Sequence, residues 1–153
     1  MARILIADDD TAIASLASDV LMDAGHACGW VTSAEECTAV MRFKRPDLLL
    51  LDHSFPGMSG ITLLRQLRRS ARFYDLPVVM FTAVSGDADE AQAIYAGAQD
   101  FIRKPFDPQW LVRKIEKQLE KRAGRPRHID LASAVLGHEL PHASMAPALK
   151  RVL

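Results

Sequence analysis

The amino-acid sequence predicts an α/β domain in which one parallel sheet is wound on both faces by helices. Three observations predict it. Short apolar runs of strand length alternate with segments whose apolar residues recur at spacings of three and four, the pattern of repeated strand-helix units. One run, Leu48-Leu49-Leu50-Leu51, is apolar at every position, which suits a strand covered on both faces. The 153 residues, 49% apolar and 25% charged, supply one domain with a core of its own and little beyond it.

The elements follow in order. Residues 3–7 form the first strand; Ile13, Leu16, Ala17, Val20, Leu21 and Ala24 then mark one face of a helix over 10–24, and Gly25 stops it. Residues 26–31 read as a second, less apolar strand. Ser33 and Glu36 make a capping box that opens a helix over 34–43. Pro46 separates that helix from the third strand, which ends abruptly in Asp52. The turn Pro56-Gly57-Met58-Ser59-Gly60 leads to a third helix marked by Ile61, Leu63, Leu64 and Leu67. Residues 77–82 make the fourth strand, 87–96 a weakly apolar fourth helix ended by Gly97, 100–102 a short fifth strand, and 108–121 a fifth helix with Pro108 in its first turn. Five parallel strands of this length fit the flavodoxin-like order 2-1-3-4-5. Residues 1–122 are thus expected to form the domain. Residues 123–153, opening with Gly124-Arg125-Pro126-Arg127, read as a tail in which 129–140 has the pattern of one amphipathic helix.

Composition excludes several function classes. Nineteen Lys plus Arg balance nineteen Asp plus Glu, so no global field recruits nucleic acid or an anionic membrane, and direct nucleic-acid binding is not expected. The basic run of the fifth helix, with Lys114, Lys117, Lys121, Arg122, Arg125 and Arg127, reads as a solvated face. Cys28 and Cys37 are too few for a disulfide scaffold and read as small core residues, which together with the lack of a signal peptide or a membrane-length apolar run predicts a cytoplasmic protein. Trp30 and Trp110 read as packing residues, and His53 and Phe55 as loop residues.

The chemistry lies where the strands end. In the order 2-1-3-4-5 ligands bind beyond the carboxyl ends of the strands, at the switch between the first and third. The first strand runs into Asp8, Asp9 and Asp10, the third into Asp52, the fourth into Thr82, and the fifth is followed by Lys104-Pro105. An acidic triplet alone is often a helix cap, and Asp10 reads as that; convergence of all these side chains on one rim is what caps and loop residues do not predict. Clustered carboxylates raise one another's proton affinity and need a cation to remain ionised.

The stretches ILIADDD (4–10), PDLLLLD (46–52), PGMSG (56–60), PVVMFTA (77–83) and GAQDFIRKPFDP (97–108) together resemble the receiver domain of two-component response regulators, over residues 3 to 121. The resemblance implies that Asp52 accepts a phosphoryl group, that Asp8 and Asp9 with Asp52 and the backbone carbonyl of Ser54 hold Mg²⁺, and that Lys104 neutralises the incoming charge. It further implies that Thr82 is the switch hydroxyl, that Ala83 leaves the acceptor accessible, that Phe101 follows Thr82 on activation, and that the Lys104-Pro105 peptide is cis. Relatives often carry Tyr where Phe101 stands, and Phe lacks the hydroxyl that Tyr would offer to an output contact.

The implied donor is a histidine kinase or a histidine phosphotransfer protein. The implied output is a contact with a downstream protein, or a phosphorylation-dependent homodimer, through the fourth helix, fifth strand and fifth helix. Such a protein signals and is not an enzyme in the ordinary sense. A phosphorelay shuttle and a pseudo-receiver that binds partners without phosphorylation are the alternatives; the second ordinarily lacks one of the acidic residues, the Thr or the Lys. A DNA-binding regulator would need a recognition helix in further chain. In the tail, His138-Glu139-Leu140-Pro141-His142 matches the zinc-protease pattern H-E-x-x-H, but Pro141 opposes the helix that pattern requires. His138 to Pro141 also faintly resembles the phosphoacceptor box of histidine kinases, without its usual arginine.

Overall fold

The computed structural model describes residues 1–83 and 87–123. The expected tail helix over 129–140 and the pair His138 and His142 lie outside the described residues. Among the described residues ten elements alternate: β1 (Arg3–Ala7), α1 (Thr11–Asp23), β2 (Ala27–Val31), α2 (Ala34–Phe43), β3 (Leu48–Asp52), α3 (Gly60–Arg68), β4 (Val78–Thr82), α4 (Asp87–Tyr95), β5 (Asp100–Arg103) and α5 (Pro108–Ala123). The strands pair in the order β2-β1-β3-β4-β5, all parallel. This is the flavodoxin-like doubly wound sheet.

The leucine run shows why such a strand carries no polar alternation. Successive side chains of a strand point to opposite faces, and Leu49 and Leu51 enter one core cluster with Cys37, Val40, Met41, Leu63 and Leu64 from α2 and α3. Leu48 and Leu50 enter the other, with Ala14, Ala17 and Leu21 of α1 and Leu111 and Ile115 of α5. Both faces of β3 are sealed.

Short polar side chains set the helix starts. Asp10 is extended and its carboxylate accepts from Ala12 N–H at 3.1 Å and Ile13 N–H at 3.2 Å, so it caps α1 from outside the helix, which begins at Thr11. Ser33 Oγ accepts from Glu36 N–H at 3.1 Å, and Asp107 accepts from Gln109 and Trp110 N–H at the head of α5. Gly25 takes φ +97° after α1, a backbone region costly for residues with a Cβ. At the end of the sheet opposite the acidic rim, Arg68 donates to the carbonyls of Gly97, Phe73, Tyr74 and Leu76 and to Gln99 Oε1. One guanidinium ties the α3–β4 connection to the approach of β5.

Phe55 lies in the loop after β3, as expected, and is buried there at 8% exposure in the α2/α3 core cluster. Two expectations are corrected. Trp110 is 49% exposed, because it lies in the first turn of α5, away from Leu111 and Ile115. The basic residues of α5 are not uniformly solvated, since Lys114 is paired with Asp100 and Arg122 with Asp75. Among the described residues no helix is long and apolar enough to cross a membrane.

Candidate functional site

Parallel pairing brings the carboxyl ends of the strands to one level. β1 and β3 are neighbours, with Ala7 opposite Leu51; Asp52 faces Phe81 on β4, and Thr82 faces Arg103 on β5. Asp8 therefore follows β1 directly, Asp52 and Thr82 are the last residues of their strands, and Lys104 is the first residue past β5. Asp8, Asp52 and Thr82 are buried, at 0%, 5% and 5% exposure, whereas Asp9 and Ala83 are exposed and Lys104 is partly so.

Backbone contacts hold each piece in place. Asp8 N–H donates to Val31 O at 3.0 Å and Lys104 N–H to Thr82 O at 2.8 Å, while Asp8 Oδ1 accepts from Asp10 N–H at 2.9 Å. The Lys104-Pro105 bond is cis. Ser54 is exposed and forms an isolated antiparallel bridge with Ser59.

The electrostatics are those of a carboxylate cluster with one cation beside it. Lys104 Nζ lies 2.5 Å from Asp8 Oδ2 and 3.3 Å from Asp52 Oδ1. Oxygens of Asp8, Asp9 and Asp52 come within 4.8 Å of one another. Burial pushes the Asp52 carboxyl up to about 7, and the charge of Asp8 adds to the rise, against the opposing pull of Lys104. One ammonium cannot balance three carboxylates. Asp8 Oδ2 is fully buried and, although Nζ is close, makes no hydrogen bond of normal geometry. A buried hard oxygen without such a bond, with two more carboxylates in reach, fits a divalent cation that keeps several waters; the donor set is compatible with Mg²⁺.

Phe101 does not join this cluster. It is half-buried and packs against the α2/α3 core, where Lys114 Nζ stands 4.7 Å over its ring and donates to its carbonyl at 2.9 Å and to Asp100 Oδ1 at 3.1 Å. Two residues that the strand-end argument does not find also build the site. Gly60 N–H donates to His53 O at 2.7 Å, and a Cβ on Gly60 would sit 1.9 Å from the carbonyl oxygen of Asp52; the start of α3 lies on the backbone of the candidate acceptor, and only glycine fits. Phe81 lies under Lys104 Nζ, 4.9 Å from ring centroid to cation. The glycine is visible in the sequence as turn chemistry, but its contact with Asp52 is not, and Phe81 reads only as one more apolar strand residue.

Comparison with known proteins agrees with this fold. Residues 4–116 match the response regulator receiver domain. The phosphate regulon transcriptional regulatory protein PhoB of Pseudomonas aeruginosa is 37% identical over 118 residues, covering 77% of this chain and 52% of that protein. The DNA-binding response regulator MtrA of Mycobacterium leprae is 33% identical over 153 residues, covering 95% of this chain and 67% of that protein. The chain thus spans about half the length of the first of these relatives and about two-thirds of the second. Among solved structures, a response regulator from Chloroflexus aurantiacus superposes with a TM-score of 0.75 at 34% identity over 78% of this chain and 98% of that one. The receiver domain of NtrX from Brucella abortus gives 0.72 at 33% identity over 76% and 98%.

The doubly wound sheet and the match over residues 4–116 define a receiver-type signalling module. The chain belongs to the response regulator receiver domain family.

Proposed function

We propose that residues 1–122 act as a phosphoacceptor switch in which Asp52 takes a phosphoryl group from a phosphohistidine on a histidine kinase or histidine phosphotransfer protein. The observation that carries this reading is the placement of Asp52: nearly buried at a strand end, 3.3 Å from Lys104 Nζ and within the carboxylate cluster of Asp8 and Asp9. Asp8, Asp9 and Asp52, with the carbonyl of Ser54, would hold Mg²⁺. Bound there, the cation neutralises carboxylate and phosphoryl oxygens.

In the transfer, an oxygen of the ionised Asp52 attacks phosphorus and forms the new P–O bond. The P–N bond breaks, and its electron pair returns to the donor imidazole, which leaves neutral because its other ring nitrogen carries a proton. Lys104 stands beside Asp52 to take up charge on the phosphoryl oxygens. Thr82, buried at the end of the neighbouring strand, would donate its hydroxyl to one of those oxygens, and the adjoining Ala83 would leave the approach open. The gain of charge at Asp52 would then shift Thr82 and, behind it, Phe101 on β5.

The face made by α4, β5 and α5 would carry the output to a downstream protein or a second copy. Tyr95 at 91% exposure and Trp110 at 49% support that face as the contact surface, since exposed aromatics are favoured anchors. In this reading the tail, 123–153, stands outside the receiver unit.

The test is intact mass after incubation with acetyl phosphate, with and without Mg²⁺, for the native protein and Asp52→Asn. A single phosphoryl addition that needs both Mg²⁺ and Asp52 is the expected result. If no addition occurs and beryllofluoride, a stable phosphoryl mimic, also fails to perturb the site, the phosphoacceptor reading is wrong and the domain binds partners without phosphorylation.

A further inference from the structure

We propose that Phe81 is a positioning residue for Lys104: its ring face confines the ammonium at the point from which it meets an incoming phosphoryl group. The inference rests on the phosphoacceptor reading of Asp52. Lys104 carries its charge on a long stem with several rotatable bonds, so holding it in one place costs conformational freedom. Its side chain is only 13% exposed, yet the attraction to Asp8 at 2.5 Å is stronger than that to Asp52 at 3.3 Å. The ammonium accordingly sits nearer Asp8 than the acceptor, and the carboxylates alone do not fix its height above the sheet.

A third attraction comes from below. The Phe81 ring centroid lies 4.9 Å from Nζ, inside the range in which the negative ring face draws a cation, and the pull is larger where water is excluded. Phe81 is 0% exposed.

The ring is itself braced. Phe106, two residues beyond Lys104, meets it at 5.4 Å between centroids and 58° between planes, a tilted arrangement of the kind aromatic pairs favour. The segment that delivers the lysine thus also carries the ring that orients Phe81. Both aromatics pack on the α1/α5 side of the sheet, so the lysine is coupled to that core layer. Phe81 faces Asp52 in the β3–β4 register, which places the ring at the same level as the acceptor whatever the lysine does.

Simple core filling is the competing account, and it needs only volume. The two accounts separate under replacement of Phe81 by 4-fluoro-, 3,5-difluoro- and 3,4,5-trifluorophenylalanine, which weaken the ring's negative face while barely changing its size. The readouts are the rate of acetyl phosphate labelling at Asp52 and the NMR shift of the Lys104 ε-methylene protons. We expect the wild-type ε protons to lie upfield through the ring current. We expect the labelling rate to fall stepwise with each added fluorine, reaching a loss of about tenfold for Phe81→Leu, with Phe81→Tyr restoring most of it. A flat labelling rate across the fluorinated series, or ε protons at their solvent position in the wild type, overturns the role of Phe81 while leaving Asp52 as acceptor. A wild-type protein that takes no phosphoryl group refutes the acceptor reading instead, and the inference falls with it.

Discussion

Asp52→Asn should make the cation-free domain more stable, although it removes the residue on which the proposed function depends. The Asp52 carboxyl is raised from 3.8 to about 7, first by burial and then by the charge of Asp8. A carboxyl whose proton affinity is raised by folding opposes folding once it must ionise. The cost is absent below pH 3.8, grows as pH rises between 3.8 and about 7, and is complete above that. At roughly 1.4 kcal/mol for each tenfold change in proton affinity, the rise corresponds to about 4 kcal/mol at pH 8. At pH 5 the same arithmetic leaves about 2 kcal/mol. Asparagine keeps the shape of the side chain without the charge, so Asp52→Asn should recover a few kcal/mol at pH 8 in EDTA, less at pH 5 and almost nothing at pH 3. Urea unfolding of both proteins at these three pH values measures it. Mg²⁺ should then narrow the gap, because a cation held by the native carboxylates stabilises the wild type by RT ln(1 + [Mg²⁺]/Kd) and the variant much less. A variant no more stable than wild type at pH 8, or a gain that does not change between pH 5 and 8, would show that the acidic cluster is not under this strain.

Three other perturbations follow from single contacts. Gly60→Ala puts a Cβ 1.9 Å from the Asp52 carbonyl and should cost about 3 kcal/mol or more, with a matching loss of phosphorylation. Gly25→Ala, which meets no atom within 4 Å but has φ +97°, should cost only about 1–2 kcal/mol; similar losses in thermal unfolding at both positions would contradict the close approach. Arg68→Met strips a donor from the carbonyls of Gly97, Phe73, Tyr74 and Leu76 and should lower stability by about 2–4 kcal/mol, with little rescue by Arg68→Lys because an ammonium cannot span these acceptors; an unchanged urea midpoint would count against the network. Burial pushes the thiols of Cys28 and Cys37 up to about 12, so at pH 8 neither should react with a thiol reagent until urea exposes it; rapid labelling of the native protein would refute that.

The sheet order and the rim were legible because they rest on strong local signals. An unbroken run such as Leu48–Leu51 admits few roles, and a polar residue that ends such a run is conspicuous, as Asp8, Asp52 and Thr82 are. Element ends were legible to within a residue or two for the same reason: Ser33 opens α2 at Ala34, and Asp10 falls just outside α1 because its side chain is spent on the cap. What the sequence did not show is any contact made by side chains or backbone far apart in the chain. Gly60 against the carbonyl of Asp52, Phe81 beneath Lys104 and Arg68 among five acceptors depend on which elements meet and at what height. The burial of Phe55 and the pairing of Lys114 and Arg122 were missed likewise, since an aromatic in a loop and a base on an amphipathic helix carry no mark of their partners.

The clip at Lys114 bears on how the domain behaves in a crowded solution. Among the described residues β5 is at the edge of the sheet and pairs with β4 alone, and an unpaired strand edge is a template on which another chain can add. At Phe101 that template is already used: its N–H donates to Asp100 Oδ1 at 2.8 Å, and its carbonyl accepts from Lys114 Nζ. A strand only four residues long has few other positions from which to recruit a neighbour. Nineteen basic and nineteen acidic residues provide no net repulsion between molecules, so protection against edge-to-edge aggregation falls to local chemistry, which Lys114 of α5 and Asp100 supply at this position.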